Sequence, residues 1–84
     1  MTVEELKAEI DALNTYNDEF YRGLGPILNG WLTLSGGVRN ATTGTSQDVT
    51  AIHARLQDGS DAIHLALDAS IYLGQALTAF AAIL

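Results

Sequence analysis

Apolar residues in the first half of the chain fall at Leu6, Ile10, Leu13, Phe20, Leu24, Ile27, Trp31, Leu34 and Val38, with Asn17 taking the one polar step. The spacings alternate four and three, the pattern of a helix that packs lengthwise against another helix and not of a strand. Helix formers dominate residues 1–22, Glu4 and Glu5 stand where the helix dipole favours negative charge, and Thr2 is available as an N-cap. A helix over about residues 3–35 follows, with a break near 23–26. There Gly23-Leu24-Gly25-Pro26 interrupts the good helix formers, and an interior proline removes a backbone donor and crowds the preceding turn, at about 3 kcal/mol. Either the helix kinks and continues, or a second helix starts with Pro26 at its first position. The seam that runs in register from Phe20 to Trp31 favours the kink.

Between Ser35 and Ser46 the chain reads SGGVRNATTGTS, without long aliphatic side chains, which predicts a reversal of direction over about 36–46. Thr45 followed three residues later by Asp48 resembles a capping arrangement, so a second helix is expected to start near Ser46 or Gln47 and to cover about 47–83. Its seam runs through Ile52, Leu56, Ile63, Leu67, Ile71, Leu77 and Leu84 and passes Gly59. Asp58-Gly59-Ser60-Asp61 is a second weak point, where Gly59 kinks the helix or Ser60 caps a fresh one. The fold class is therefore all-α: a helical hairpin of two long helices, three or four if both weak points break, in one domain over residues 1–84. Such a hairpin is expected to assemble into a helical bundle or coiled coil.

The need for assembly comes from the C-terminal helix. Its polar side chains Gln57, Asp61, His64, Asp68 and Gln75 follow helical spacing and make a narrow stripe, while aliphatic and aromatic residues cover most of the rest. A helix apolar over so much of its circumference is not satisfied by a single neighbour, and a chain this short buries only about 60% of its unfolded surface. Trp31, Leu34, Ile63, Leu67, Ile71, Tyr72, Leu77 and Phe80 are the expected interface residues. The partner is a protein: another copy in a homo-oligomer, or another helical hairpin in a heterodimer. A membrane is disfavoured, because the uncharged run from Ala69 to Leu84 falls short of the ~20 residues a span needs and no lysine or arginine follows Arg55.

Charge and composition narrow the function further. Ten acids against four bases leave a net charge of -6 on 84 residues, the opposite of the basic patch that nucleic-acid binding requires. The absence of cysteine removes thiol catalysis and disulfides. The acidic start Met1-Thr2-Val3-Glu4-Glu5 lacks the pattern of a secretory leader, so a cytoplasmic protein or one secreted without a cleavable signal is expected. Phosphate loops, nucleophile elbows and dinucleotide fingerprints are missing from the pattern, which predicts no cofactor and no enzymatic activity. Asp61, His64 and Asp68, spaced three and four apart, are the nearest thing to a metal-ligand set, with Asp18 or Glu19 approaching from the other helix. The competing reading makes them the solvated stripe, and that reading also accounts for Gln57 and Gln75. His53 is expected at the surface or an interface. Asn17, if buried, fixes register at a cost in stability. Gly23, Gly30, Gly37 and Gly44, each seven apart, would line one stripe of a continuous helix and admit a close backbone.

A short, acidic, cysteine-free chain with two long helices, a tryptophan near the end of the first and a Gly/Thr-rich turn resembles the WXG100 or ESX class of type VII secretion substrates. That resemblance implies a helical hairpin that pairs side by side with a second hairpin and travels as a dimer. The Trp-x-Gly signature itself is not met, since Trp31 is followed by Leu32-Thr33, and nothing acidic follows Asp68 where the class carries an acidic secretion pattern. A different reading makes the chain a small phage or mobile-element protein that inhibits or adapts a larger complex through an acidic helical surface.

Overall fold

A computed structural model describes all 84 residues as two helices, α1 (Val3–Thr42) and α2 (Val49–Ile83), folded back on each other as an antiparallel hairpin. The molecule is a rod of 63 × 17 × 17 Å. Thr2 caps α1 in a reciprocal box: its hydroxyl accepts from the Glu5 N–H at 3.1 Å, and the Glu5 carboxylate accepts from the Thr2 N–H at 3.4 Å.

Neither weak point breaks its helix. α1 runs without interruption through Gly23–Pro26, and its 40 residues at 1.5 Å each need about 60 Å, the observed length of the rod, so no sharp kink shortens it. The neighbours of the proline explain the tolerance. Proline crowds the Cβ of the residue before it when that residue is helical, and Gly25 has none. Leu24, buried against α2, holds the turn in place. α2 likewise passes through Gly59 as one helix of 35 residues.

The reversal is shorter and later than the composition predicts. α1 extends past Ser35 to Thr42, so the segment expected as loop over 36–46 is mostly helix. Two forces offset the low propensity of Gly36 and Gly37. Hydroxyls bond back onto the turn below them, Ser35 to the Trp31 carbonyl and Thr42 to the Val38 carbonyl, both at 2.9 Å. In addition, Ser35, Val38 and Thr42 lie against α2, and tertiary packing outweighs propensity in a helix of this length. The turn then occupies Thr43 to Asp48, with Gly44 at φ +74°, the one positive φ in the chain and a conformation that glycine alone adopts without strain. Asp48, expected inside the first turn of the second helix, is instead its N-cap and accepts from the Ala51 N–H at 3.0 Å.

The core between the helices is thin. Six of 84 residues are buried, namely Ile10, Leu24, Leu56 and Leu77 with Ser35 and Ser70. No side chain is fully enclosed, which leaves the outer faces of both helices to decide what the rod does.

Candidate protein interface

Two polar contacts set how α1 and α2 face each other. The Asn17 amide donates to the Ser70 carbonyl at 3.0 Å, and the Ser70 hydroxyl returns a bond to Asn17 Oδ1 at 2.7 Å. Fourteen residues further along α1, the Trp31 indole N–H donates to the Leu56 carbonyl at 3.0 Å. The indole lies directly on Gly59, where a Cβ would overlap its six-membered ring. Asn17 is thus the register-fixing polar residue that its seam position predicts. Trp31 is an internal anchor eleven residues short of the end of α1, not a residue of the hairpin tip. In both pairs the residue numbers add to 87, so levels along the rod can be matched between the helices.

These contacts select one of two overlapping seams on α1. Ile10, Asn17, Leu24, Trp31 and Val38, seven apart, face α2 as expected. Their companions are Asn14, Leu28, Ser35 and Thr42, one residue later than the set read from hydrophobicity alone, while Tyr21 at the same spacing stays exposed. The more apolar set is displaced outward: Leu13 is 48% exposed, Phe20 52%, Ile27 55% and Leu34 51%. These four form a straight heptad ridge along one side of the rod. Beside it Gly23, Gly30 and Gly37 have open space where a side chain would be, so the glycine stripe plays no part in packing the hairpin. Gly44 is in the turn and does not belong to that stripe.

The side of α2 next to the ridge is built differently. Leu13, Tyr16 and Phe20 share a shallow groove of 280 Å³ with Ala69 and Leu73, and nearer the turn Trp31 and Val38 share one of 310 Å³ with Ala51, Ile52 and Arg55. By heptad spacing this side of α2 carries Ile52, Gly59, Ala66, Leu73 and Phe80, flanked by Ala62, Ala69 and Ala76. Arg55 is the one charged residue lining the two grooves.

The opposite side of the rod is more polar but mixed. Its grooves, of 780 and 340 Å³, combine Asn14, Asp18, Gln75 and Thr78 with Tyr21, Ile71 and Ala79 at the open end, and Arg39, His53, Gln57 and Ser60 with Leu32 near the turn. The Gln57, Asp61, His64, Asp68 and Gln75 stripe runs along this side, and its members are exposed. Asp61 accepts from Gln57 Nε2 at 2.8 Å, and His64 Nδ1 is bonded to the Ser60 carbonyl at 2.8 Å. No three histidine or carboxylate side chains come close enough to hold a metal ion. The ligand set Asp61, His64 and Asp68 is therefore not assembled: all three lie on one helix, and α1 brings no carboxylate to them.

The expected interface residues divide by place. Leu77 is buried and Trp31, Ile63 and Leu67 are half-buried on the inner side, where they hold the hairpin together. Leu34 and Phe80 lie on the exposed apolar side, Ile71 lines the polar side, and Tyr72, 73% exposed, points away from α1. Leu13, Phe20, Ile27 and Leu73 complete the apolar side, and the single seam read from the sequence had placed the first three inside. α2 also contains an 18-residue window with a mean hydropathy of 1.3, long and apolar enough to cross a membrane by length and composition, and 11% of that window is buried. The chain matches no family model, and no curated protein or solved structure is similar to it at a significant level.

Proposed function

We propose that this chain is a non-enzymatic helical interaction module that docks a second helical protein on the apolar side of its hairpin. The observation that carries the reading is the outward ridge of Leu13, Phe20, Ile27 and Leu34, about half exposed in a molecule with four buried aliphatic side chains. A continuous patch of that kind marks an interaction site. Its heptad spacing, with a shallow trough beside it, fits a helix laid lengthwise better than a compact ligand. A protein fits this side better than a bilayer does, because α2 carries Asp68 within the stretch that would cross and no lysine or arginine follows Arg55 to anchor its end. The type VII secretion reading rests on the hairpin, the acidity and the Gly/Thr-rich turn, while Trp31, packed inside the hairpin, adds nothing to it.

The test substitutes one side at a time. Phe20→Glu and Ile27→Glu are expected to abolish association with any protein partner while circular dichroism stays helical, and Gln75→Glu on the polar side is expected to leave association unchanged. Association that survives both ridge substitutions and is lost with Gln75→Glu overturns the reading.

A further inference from the structure

We infer that the cleft between α1 and α2 beside the turn is a binding site for a small organic anion, a carboxylate with a ring-sized apolar body. The cleft lies across the rod from the ridge, so the inference stands independently of the docking function proposed above.

Charge marks the place. Eight of the ten acids lie in residues 1–22 and 61–84, toward the open end of the hairpin, while in the turn half Arg39 and Arg55 balance Asp48 and Asp58. Arg55 is paired with Asp58 at 3.3 Å, and the Asp48 carboxylate caps α2 through the Ala51 N–H. Arg39 has no carboxylate partner, since the other ion pair of the chain joins Arg22 to Asp18. Arg39 and His53 line the 340 Å³ cleft from opposite helices, and both also line the adjoining groove of 370 Å³ against the turn. Neither space contains an acid. In a chain of charge -6 this is a local reversal of sign, and it selects an anion. The guanidinium offers a planar fork that fits a carboxylate with two parallel bonds, and the imidazole supplies an N–H in either protonation state.

Shape selects what the anion carries. The apolar wall of the cleft is made by Trp31, Leu32 and Leu56. The indole is fixed there by its bond to the Leu56 carbonyl, so the wall exists before any ligand arrives. An apolar wall, a few converging polar groups and a volume of 340 Å³ suit a small molecule. Gly36 is a second, separate observation. It costs α1 about 1 kcal/mol relative to alanine, yet its φ is not positive and nothing stands within 4 Å of where its Cβ would be. The hairpin itself therefore does not require glycine at 36. Gly36 lines the cleft, and a side chain there would narrow it.

Trp31, the one tryptophan, reports on the site directly. Phenylacetate is expected to change its emission saturably, and benzyl alcohol, which has the ring without the carboxylate, is expected to leave it unchanged at the same concentrations. Arg39→Gln is expected to weaken phenylacetate binding about tenfold, the worth of one charged hydrogen bond. Lys7→Gln removes the same charge at the exposed start of α1 and is expected to have no effect. Gly36→Leu narrows the cleft without changing charge, favours the helix, and is expected to abolish the response. Circular dichroism checks that each variant stays helical, and His53→Gln takes the place of Arg39→Gln should that variant unfold. The absence of a saturable response to phenylacetate overturns the site, as does a full response in Gly36→Leu. Equal responses to phenylacetate and benzyl alcohol overturn the anionic ligand. Binding that Arg39→Gln weakens no more than Lys7→Gln does overturns the place given to the carboxylate.

Discussion

Gly59 and Trp31 are the most constrained pair in the molecule. Adding a methyl at 59 drives into a rigid indole that already donates to Leu56, so Gly59→Ala is expected to destabilise the hairpin by about 1–3 kcal/mol although alanine is the better helix former. Denaturant unfolding followed by the single tryptophan measures it. Asn17 and Ser70 behave differently, because each satisfies the other. Asn17→Leu alone takes the close acceptor from the buried Ser70 hydroxyl, leaving it the Asn17 carbonyl at 3.5 Å, and is expected to cost about 1–3 kcal/mol. The double substitution Asn17→Leu, Ser70→Ala removes both polar groups and is expected to restore most of that loss, which a double-mutant cycle reads directly. If the double variant is as unstable as the single one, the cost lies in packing and not in the unpaired hydroxyl.

At the scale of the helices, periodicity made the two long elements and the polar stripe legible, and capping chemistry placed the start of α1 at Thr2. Two things were not legible. Propensity ended α1 near Ser35, because a single sequence shows the cost of Gly36 and Gly37 but not that Val38 and Thr42 would find α2 to pack on. Hydrophobicity also chose the wrong companion seam: Leu13, Phe20, Ile27 and Leu34 are together more apolar than Asn14, Tyr21, Leu28 and Ser35. The polar bonds of Asn17 and the close fit of Trp31 on Gly59 turn the helix the other way. Asn17 at a seam position was the available signal. Because α1 is continuous, Pro26→Ala is expected to add the missing hydrogen bond to the Arg22 carbonyl and raise stability by about 1–3 kcal/mol, seen as a higher Tm. A helix that truly ended there would show no gain. Gly30→Ala, in open space, should add about 1 kcal/mol to the hairpin. If a partner approaches closely along the glycine stripe, the same change weakens association, so unfolding and binding move in opposite directions.

At the scale of the whole rod, an apolar ridge is carried by a strongly acidic molecule, and this combination governs how self-association responds to salt. Two copies that meet bring two bodies of charge -6 together. Raising ionic strength from about 0.01 M to about 0.1 M shortens the Debye length from about 30 to about 10 Å and screens that repulsion. Self-association measured by sedimentation should therefore strengthen with salt. Weakening would mean that opposite charges meet across the interface, as with a basic partner.

The hairpin's single turn also sets the order in which its contacts can form. Trp31 and Leu56 are 25 residues apart and Asn17 and Ser70 are 53 apart, so closing the inner pair first costs less chain entropy by about 0.7 kcal/mol, and the outer pair then forms on a chain already half closed. The protein zips from Gly44 toward its two ends. Among the helical amides, exchange should accordingly be slowest around Trp31 and Leu56 and fastest over the last turns beside Met1 and Leu84.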